Sequence, residues 1–384
     1  MKKICIVTGT RAEYGLLRPV INKISQEKDL ELSLVATGMH LSPEFGLTYR
    51  EIESDGFSID EKVEMLLSSD TCQGMTKSTG LAIISFSEYF ERKRPDVVIL
   101  LGDRFEIFAC ATAAAMAQVP IAHLYGGDTT EGAIDEFLRH SITKMSYLHF
   151  TSNKQSAHRV IQLGESPDRV LSVGSTGVEN ILSMDLLSLQ NLNTSLGNWL
   201  THEYALVTFH PETMGGTSAD VQLRNLLCAL DNFKNMQFIF TKANADAEGR
   251  IINAMIDEYI AKNSNCIAFD SLGVLKYLSA MKYSTMVIGN SSSGLYEAPS
   301  FKIPTVNIGD RQKGRIRADS VIDCIPFSED IISAINKCLC MDCRNTINPY
   351  EGTKPSQKIV DTIKNVLNKG DIHLKKKFWD LGVV

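Results

Sequence analysis

Short, almost uninterrupted apolar runs recur along the whole chain, and segments long enough for helices separate them. Continuous apolar character, unlike strict alternation, is typical of strands buried on both faces and therefore of parallel sheets. The pattern predicts an α/β protein built from repeated β-α-β units. The predicted strands are Ile4–Val7, Leu32–Ala36, Val97–Leu101, Ile121–Leu124, Leu148–Phe150, Val170–Val173, Ala205–Phe209, Phe238–Phe240, Cys266–Phe269, Met286–Ile288 and Thr305–Ile308. The predicted helices include Gly15–Lys28, Phe105–Gln118, Ala133–Met145 and Asp220–Phe233.

The chain has 384 residues, which is too many for one ordinary hydrophobic core and indicates two domains. A fresh β-α series begins at Ala205, after the stretch Gly174–His202, which has no strand-like order. We therefore predict two Rossmann-like, doubly wound domains, the first over residues 1–174 and the second over 175–365. A C-terminal helix over 366–384, with solvated lysines and one packed aromatic face, is predicted to rejoin the first domain.

Composition argues against several classes of protein. The net charge of −6 disfavours a nucleic-acid-binding surface, which needs a broad basic face. The apolar runs are far shorter than the roughly 20 residues of a membrane-spanning helix, so no membrane partner is expected. Nine cysteines without regular spacing favour a reducing, cytoplasmic compartment over a disulfide scaffold. Cys338, Cys340 and Cys343 have no fourth ligand nearby, and no metal site is predicted there.

The turn after the first strand, Thr8–Gly15, is the first candidate for function. In open parallel sheets, ligands bind beyond the carboxyl ends of the strands, where the strand order reverses. Two glycines around Arg11 suit the approach of an anion to backbone N–H groups, although a plain tight turn explains them equally well. The dinucleotide fingerprint and the P-loop motif are both absent, which disfavours NAD dehydrogenases and P-loop NTPases.

The strand Val97–Leu101 ends in Asp103, with Arg104 and Glu106 close behind. A carboxylate at the exit of a fully apolar strand is partly desolvated, which raises its pKa and suits proton transfer. The alternative is that Asp103 caps the next helix, since Asp is a favoured N-cap residue. The neighbouring charges favour a functional role.

A Gly-Gly turn after Ile121–Leu124 leads to Asp128, and Asp135, Arg139 and His140 follow on the next predicted helix. Carboxylates crowded behind such a turn are candidates for paired acid and base roles. The alternative for Asp135 and Arg139 is a simple surface pair, because they are four residues apart on a helix.

In the second half, His210 stands at the exit of the strand Ala205–Phe209. A lone histidine is more often structural than catalytic, but Pro211 restricts its backbone at a strand end where ligands bind. This position favours function.

The strand Met286–Ile288 exits into the small-residue segment Gly289–Gly294, followed by Glu297. Small residues that open a helix present bare N–H groups and hydroxyls, which suit a diphosphate. Glu297 is placed to accept hydrogen bonds from a ribose diol. The segment Gly309–Arg315 adds cations to the same strand-end region.

Together these motifs resemble the hydrolysing UDP-N-acetylglucosamine 2-epimerases, bacterial enzymes of sialic and legionaminic acid synthesis. The resemblance implies a two-domain fold like that of B-type glycosyltransferases, with the active site in the cleft between the domains. It also implies a UDP-sugar substrate, a homo-oligomer (dimer or tetramer), and neither a metal nor a redox cofactor. The matching blocks are Thr8–Gly15, Ala36–His40, Gly102–Glu106, His123–Asp128, Asp135–Lys144, Gln162–Glu165, His210–Pro211, Gly289–Pro299 and Gly309–Arg315.

The reaction that the resemblance implies eliminates UDP across C1 and C2 of the sugar to give a glycal. Water then adds and releases the free manno sugar. By position, Asp103 and Asp135 match the acid and base carboxylates, Asp128 is a third candidate, and His210 matches the residue that stabilises departing UDP. The matching substrate-binding positions are Arg11, Arg104, Asn244, Asp246, Ser291, Ser292, Glu297, Arg311 and Arg315.

The sequence departs from the family pattern in one block. Many relatives carry Glu or His in place of Tyr125, and Glu in place of the shorter Asp128. The blocks Val63–Asp70 and Gly127–Asp135 are similar to the subgroup acting on UDP-2,4-diacetamido-2,4,6-trideoxyglucose. The N-terminal block and Arg311–Arg315 are equally similar to the N-acetylglucosamine subgroup, so both sugars stay open.

Two alternative functions share part of this pattern. A glycosyltransferase of the same fold has a similar diphosphate-binding segment, but it needs an acceptor and does not need carboxylates such as Asp103 and Asp135. A regulator that binds UDP-sugars without turnover keeps Ser291 and Glu297 and tolerates the loss of Asp103.

Overall fold

The computed structural model describes residues 1–67, 71–130, 134–210, 218–242, 249–270, 272–370 and 372–382, without the side chains of 249 and 250. Its strands are β1 Lys2–Thr8, β2 Leu30–Thr37, β3 Glu61–Val63, β4 Val97–Leu101, β5 Ile121–Leu124, β6 Leu148–Thr151, β7 Val170–Ser172, β8 Tyr204–Thr208, β9 Gln237–Thr241, β10 Cys266–Phe269, β11 Met286–Gly289, β12 Thr305–Ile308 and β13 Val321–Cys324. Its helices are α1 Arg11–Gln26, α2 Tyr49–Ser54, α3 Cys72–Lys93, α4 Phe105–Met116, α5 Asp135–Met145, α6 Lys154–Gln162, α7 Thr176–Ser183, α8 Leu189–Ser195, α9 Ala219–Leu230, α10 Gly249–Ile260, α11 Gly273–Tyr283, α12 Ser293–Tyr296, α13 Ser328–Leu339 and α14 Pro355–Lys369.

The first of two compact units comprises Met1–Asn180 and Gly352–Val384. Its strands pair in the order β3-β2-β1-β4-β5-β6-β7, and the pairs are parallel. Ile4 and Ile6 pack on one face of the sheet, whereas Cys5 and Val7 pack on the other. This two-sided burial is the physical reason for the unbroken apolar runs. The strand order reverses between β1 and β4, so ligands are expected beside the residues that follow these two strands.

The second unit comprises Ile181–Glu351. Its strands pair in parallel in the order β10-β9-β8-β11-β12-β13, and the order reverses between β8 and β11. Ala205 and Val207 pack on one face and Tyr204 and Leu206 on the other. The prediction of two doubly wound parallel α/β folds is confirmed. None of the helices in the described ranges has both the length and the apolar character needed to cross a bilayer.

The structure adds two strands that the apolar runs do not reveal, β3 and β13. Both are edge strands, and residues such as Glu61 and Asp323 leave their burial incomplete. An edge strand has a neighbour on one side only, so it does not require an unbroken apolar run.

The C-terminal segment differs most from its prediction. No helix spans residues 366–384: α14 ends at Lys369, and Gly370 caps it in the left-handed conformation with φ of 69°. Residues 372–382 then continue without regular secondary structure. The N-terminal part of the first unit extends to Asn180, six residues beyond the predicted limit of 174. The chain returns to this unit at Gly352.

Candidate active site

The turn after β1 is closed by a buried carboxylate of the chain itself. The backbone N–H of Gly9 donates to Glu13 Oε2 at 2.7 Å. A Cβ on Gly9 would come within 2.6 Å of Glu106 Cγ. Gly9 is therefore needed for close packing against Glu106, and Glu13 occupies the N–H group that the sequence suggested for an external anion. The N-cap of α1, Thr10, accepts from the N–H of Glu13 at 3.2 Å, which begins the helix.

Glu13 and Glu106, in the first turns of α1 and α4, form a buried carboxyl pair. Burial, followed by the nearby charge of Glu106, raises the pKa of Glu13 to about 8. Arg104 Nε donates to Glu106 Oε1 at 2.6 Å and lies 4.0 Å from Glu13 Oε1. Arg104, predicted to bind substrate, thus balances this pair, and about a third of its side chain stays exposed.

Replacing Glu13 with Gln is expected to stabilise the first unit at neutral pH. In the wild type, the unfolded chain ionises Glu13 above pH 4.5, whereas the folded chain holds the proton until about pH 8. Stability is therefore lost as the pH rises from 4.5 to 8, and the glutamine of the variant, an analogue of the protonated acid, avoids this loss. By this linkage, the three pH units between 4.5 and 7.5 correspond to a gain of about 4 kcal/mol at pH 7.5.

Urea unfolding of both proteins at pH 4.5, 6 and 7.5 tests this expectation. The difference between variant and wild type should be near zero at pH 4.5 and grow with pH. An equal difference at all three values would show that Glu13 is ionised in the folded protein.

Asp103 lies in a paired arrangement and does not cap a helix. The N-cap of α4 is Arg104, so the capping alternative is wrong. Asp103 Oδ2 accepts from Arg139 Nε at 3.0 Å and also from Arg139 Nη2. Gly102, with φ of 86°, makes the turn that carries Asp103.

Arg139 is the hub of this cluster, with only 2% of its side chain exposed. It also donates to Glu136 Oε2 at 2.8 Å, to the Asp128 carbonyl at 2.8 Å and to Thr130 Oγ1 at 2.9 Å. The alternative of a simple surface pair with Asp135 is therefore wrong. Burial, and then the charge of Asp103, raises the pKa of Asp135. The structure thus brings Asp103 and Asp135 close enough to interact electrostatically.

Asp128 and Tyr125 take different positions behind the Gly-Gly turn. Asp128 Oδ1 accepts from Ser152 Oγ at 2.9 Å and from Ser156 Oγ at 2.5 Å, so one of its oxygens is held at the start of α6. The hydroxyl of Tyr125 accepts from the N–H of Thr176 at 2.9 Å, at the start of α7. The chain reaches this position with φ of 64° at Tyr125. The hydroxyl of Tyr125 therefore anchors the start of α7.

His123 supports the Asp103 turn and was not predicted to do so. Its Nε2 lies 2.8 Å from the Gly102 carbonyl, and its Nδ1 lies 3.2 Å from Thr143 Oγ1. Burial lowers the pKa of His123 to about 3, so the ring is neutral and donates through Nε2–H. A polar residue inside the apolar run of β5 was the only signal of this role in the sequence.

In the second unit, Asn290 joins the ends of three strands. Its Oδ1 accepts from the N–H of His210 at 2.7 Å, and its Nδ2 donates to the His210 carbonyl at 2.8 Å. The Asn290 carbonyl accepts from Arg311 Nη1 at 3.1 Å and from Gln312 Nε2 at 2.8 Å. Asn290 therefore positions His210 and Arg311, two predicted site residues, although its own role was not predicted.

The serines after β11 form a hydroxyl chain. Ser291 Oγ lies 3.0 Å from Ser293 Oγ, which lies 2.5 Å from the hydroxyl of Tyr277. The helix that follows, α12, is a single turn that begins after Ser292. A single turn has only a small dipole, so an anion would bind here mainly to N–H and hydroxyl groups.

Glu297 closes this turn and keeps one carboxylate oxygen, Oε2, buried without a hydrogen-bond partner in the described part of the chain. Burial raises its pKa to about 7, and Arg315 lowers it only partly. Arg315 lies over the ring of Tyr296, 5.5 Å from its centroid, and donates to Gln312 Oε1 at 2.8 Å. A buried oxygen without a partner suits a ligand hydroxyl as donor.

The remaining predicted residues do not join these clusters. Arg11 is half exposed and donates through Nε to Glu51 Oε2 at 2.9 Å. Asn244 and Asp246 lie outside the described residues. No group of three or more His, Cys, Asp or Glu side chains that suits a metal ion occurs within the described ranges.

Sequence comparison identifies relatives along most of the chain. The family model described as UDP-N-acetylglucosamine 2-epimerase matches residues 22–364. A GDP/UDP-N,N'-diacetylbacillosamine 2-epimerase (hydrolyzing) of Campylobacter jejuni is 47% identical over 84% of each chain. Polysialic acid biosynthesis protein P7 of Escherichia coli is 43% identical over 88% of this chain and 86% of its own. A UDP-N,N'-diacetylbacillosamine 2-epimerase (hydrolyzing) of Legionella pneumophila is 34% identical over 95% and 96%.

Structural comparison gives the same picture at the level of the fold. The S. aureus MnaA–UDP co-structure is similar, with a TM-score of 0.76, 21% identity and full coverage of both chains. A UDP-GlcNAc 2-epimerase from Neisseria meningitidis bound to UDP-GlcNAc has a TM-score of 0.74 and 18% identity, covering 94% of this chain and all of its own. These likenesses confirm the predicted glycosyltransferase-B-like fold class.

Proposed function

Because this chain belongs to the UDP-N-acetylglucosamine 2-epimerase family, we propose that it is a hydrolysing 2-epimerase, which converts a UDP-2-acetamido sugar and water into UDP and the free manno sugar. The observation that carries the proposal is the carboxylate cluster at the strand-order reversal of the first unit, with Asp103 bound to the buried Arg139 and Asp135 beside it. The strand ends of the second unit supply groups for the nucleotide.

Inversion at C2 by elimination and addition needs a base, an acid and a stabilised leaving group. In the first step a carboxylate removes the C2 proton, the C1–O bond breaks, and UDP leaves with the bonding electron pair. In the second step water adds its hydroxyl to C1 of the glycal, and a proton is delivered to the opposite face of C2. Asp103 and Asp135 are the groups proposed to supply the base and the acid, and the raised pKa of Asp135 suits proton transfer. The two steps cause no net oxidation or reduction, so they need no redox cofactor.

The nucleotide is assigned to the second unit. His210, held at its backbone by Asn290, is the group proposed to stabilise the departing diphosphate, together with Arg311 and the hydroxyls of Ser291 and Ser292. Glu297 is proposed to accept hydrogen bonds from the ribose through its partner-free Oε2. Arg315 adds positive charge in the same unit, as anion binding requires. Arg104 belongs to the first unit, where it pairs with Glu106, and it stays a predicted substrate-binding residue.

Two substrates are supported by specific observations. The Campylobacter and Legionella relatives, at 47% and 34% identity, are named for N,N'-diacetylbacillosamine. The family description and the co-structure from Neisseria name UDP-N-acetylglucosamine. We propose that one of these UDP-sugars is the substrate, that the product enters nonulosonic (sialic or legionaminic) acid synthesis, and that the enzyme is a cytoplasmic homo-oligomer.

Product analysis decides between the substrates. The purified protein is incubated with each UDP-sugar in the presence of a chelator, and UDP and the free sugar are quantified. The preferred sugar should give equal amounts of UDP and the manno product without any acceptor. A strict need for an acceptor would favour a glycosyltransferase, and binding without product from either sugar would favour a regulator.

Affinity for the nucleotide is expected to fall as the pH drops through the pKa of Glu297, about 7. Only the ionised carboxylate offers acceptors to both ribose hydroxyls, so protonation below pH 7 weakens binding. UDP-glucose is a suitable probe in calorimetry because its diphosphate does not titrate near pH 7. Glu297→Gln should lower affinity about tenfold at pH 8 and remove the dependence between pH 6 and 8.

Asp310→Asn is the matched control, since Asp310 is an exposed acid near the same strand ends that pairs with Lys313. It should bind UDP-glucose like the wild type. A Glu297→Gln variant that keeps the wild-type pH dependence would remove Glu297 from the nucleotide site.

A further inference from the structure

The C-terminal strap, residues 372–382, lies against the first unit beside β6 and α6. The N–H of Trp379 donates to the Gly164 carbonyl at 2.9 Å. The ring of Phe378 fills the space of a missing side chain at Gly164, where a Cβ would lie 2.3 Å from the ring. Gly164 also has φ of 85°, a backbone conformation that favours glycine. The absence of a side chain at this position lets the strap pack closely against the chain.

Lys376 of the strap binds the end of a helix far away in sequence. Its Nζ donates to the carbonyls of Lys144 and Ser146 at 2.7 Å each, across about 230 residues of chain. Lys144 is in the last turn of α5, and Ser146 is its C-cap. The last carbonyls of a helix lack partners within the helix, and a cation there also complements the helix dipole. Lys376 therefore caps α5.

A buried carboxylate, Glu165, holds the Lys376 ammonium group at the end of α5. Both of its oxygens accept from Lys376 Nζ at 2.9 Å, and it also accepts from Lys144 Nζ at 2.6 Å and His149 Nε2 at 3.1 Å. Burial alone would raise the pKa of Glu165, but the bonds from His149, Lys144 and Lys376 lower it to about 2. Glu165 thus connects three segments, because it accepts hydrogen bonds from the strap, from α5 and from β6.

The helix that Lys376 caps is the one that carries Asp135 and Arg139. The helix has 11 residues. Its position determines where the guanidinium group of Arg139 contacts Asp103. We propose that Lys376 is a positioning residue for catalysis, acting through α5 on the geometry of Arg139, Asp135 and Asp103. This inference rests on the proposed function, because it assigns these three residues to the chemical step.

Loss of the cap should displace the helix slightly and leave the fold intact. Leu138 and Ile142 anchor α5 in the core, so the helix stays on the sheet. A misplacement of about 1 Å is enough to cost up to about 100-fold in rate. The nucleotide is assigned to the second unit and should bind as before.

The test compares Lys376→Met with Lys375→Met and Lys377→Met, two exposed lysines of the same strap. In Lys376→Met, kcat should fall about tenfold, with KM and the affinity for UDP within about twofold of wild type. Amide exchange should accelerate in residues 135–145 and stay unchanged in β1 and β4. Lys376→Arg, which keeps a donor and the charge, should recover most of kcat, and both control variants should match the wild type.

Several outcomes would overturn the proposal. These are an unchanged kcat in Lys376→Met, an equal loss in the control variants, and a loss of exchange protection throughout the first unit with no recovery in Lys376→Arg. Failure of the proposed function looks different, because the wild type itself would then release no UDP. In that case faster exchange confined to residues 135–145 would still support capping by Lys376, and unchanged exchange would reject it.

Discussion

Replacing Asp103 with Asn is expected to lower kcat by about 10²–10⁴-fold and to leave the affinity for UDP within about twofold of wild type. The introduced asparagine keeps the size of the side chain and one acceptor for Arg139 Nε, the donor now at 3.0 Å. It cannot take up or deliver a proton, so the elimination step loses its base or its acid. The measurement is UDP release from the preferred UDP-sugar, with calorimetry for UDP binding.

Asp96→Asn provides a matched control at the opposite end of the same strand, β4. Asp96 pairs with Lys2 at 3.4 Å and accepts from the N–H of Lys3 at 2.8 Å, far from the strand ends where ligands are expected. Its kcat should stay within about twofold of wild type. Normal turnover by Asp103→Asn would remove Asp103 from the chemical step, and loss of UDP binding in this variant would contradict the division of roles between the units.

Replacing Arg139 with Met is expected to damage both stability and catalysis. The variant leaves Asp103 and Glu136 without their buried cation and frees the Asp128 carbonyl. Removing one partner of a buried ion pair costs about 3–5 kcal/mol, and we expect about 3 kcal/mol because the two carboxylates are partly exposed. At a temperature where the variant is folded, kcat should still fall about 100-fold, since Asp103 loses the fork that orients it.

Arg139→Lys separates charge from geometry. Lysine keeps the positive charge, but it cannot donate to four acceptors in the plane of a guanidinium. It should recover part of the stability and little of kcat. Arg224→Met, on the exposed face of α9, controls for the loss of an arginine and should change the unfolding midpoint very little, since 72% of that side chain is exposed. Full activity in Arg139→Met would show that the position of Asp103 does not depend on this residue.

The central strands were predictable because burial on both faces demands an unbroken apolar run, as in β1 and β4. The edge strands β3 and β13 were not, because one side of an edge strand has no neighbour and tolerates residues such as Glu61 and Asp323. The C-terminal strap was wrongly predicted as a helix. Phe378 contacts Gly164 on one side, and much of Trp379 is exposed, so the two aromatic side chains do not form one packed helical face.

The sequence predicted which chain segments contribute to the candidate site, but not which side chains contact one another there. The position of Asp103 and His210 at strand exits follows from the order of apolar runs, and the identity of a strand exit is local information. The partners of these residues come from distant segments: Arg139 reaches Asp103 across 36 residues, and Asn290 reaches His210 across 80. The local pattern at Asp103 also allowed a helix cap, although the neighbouring charges favoured a functional role.

The sequence by itself determined the parallel α/β class, the two-domain organisation and the strand ends where chemistry is expected, because each depends on residues that are close along the chain. Only the tertiary structure decided which side chains act together. It placed Glu13 on the N–H of Gly9, turned Arg139 toward Asp103, and brought Lys376 to the end of α5. Such pairings arise when the packing of whole helices and strands brings groups that are remote in sequence within hydrogen-bonding distance. A local sequence pattern does not contain this information.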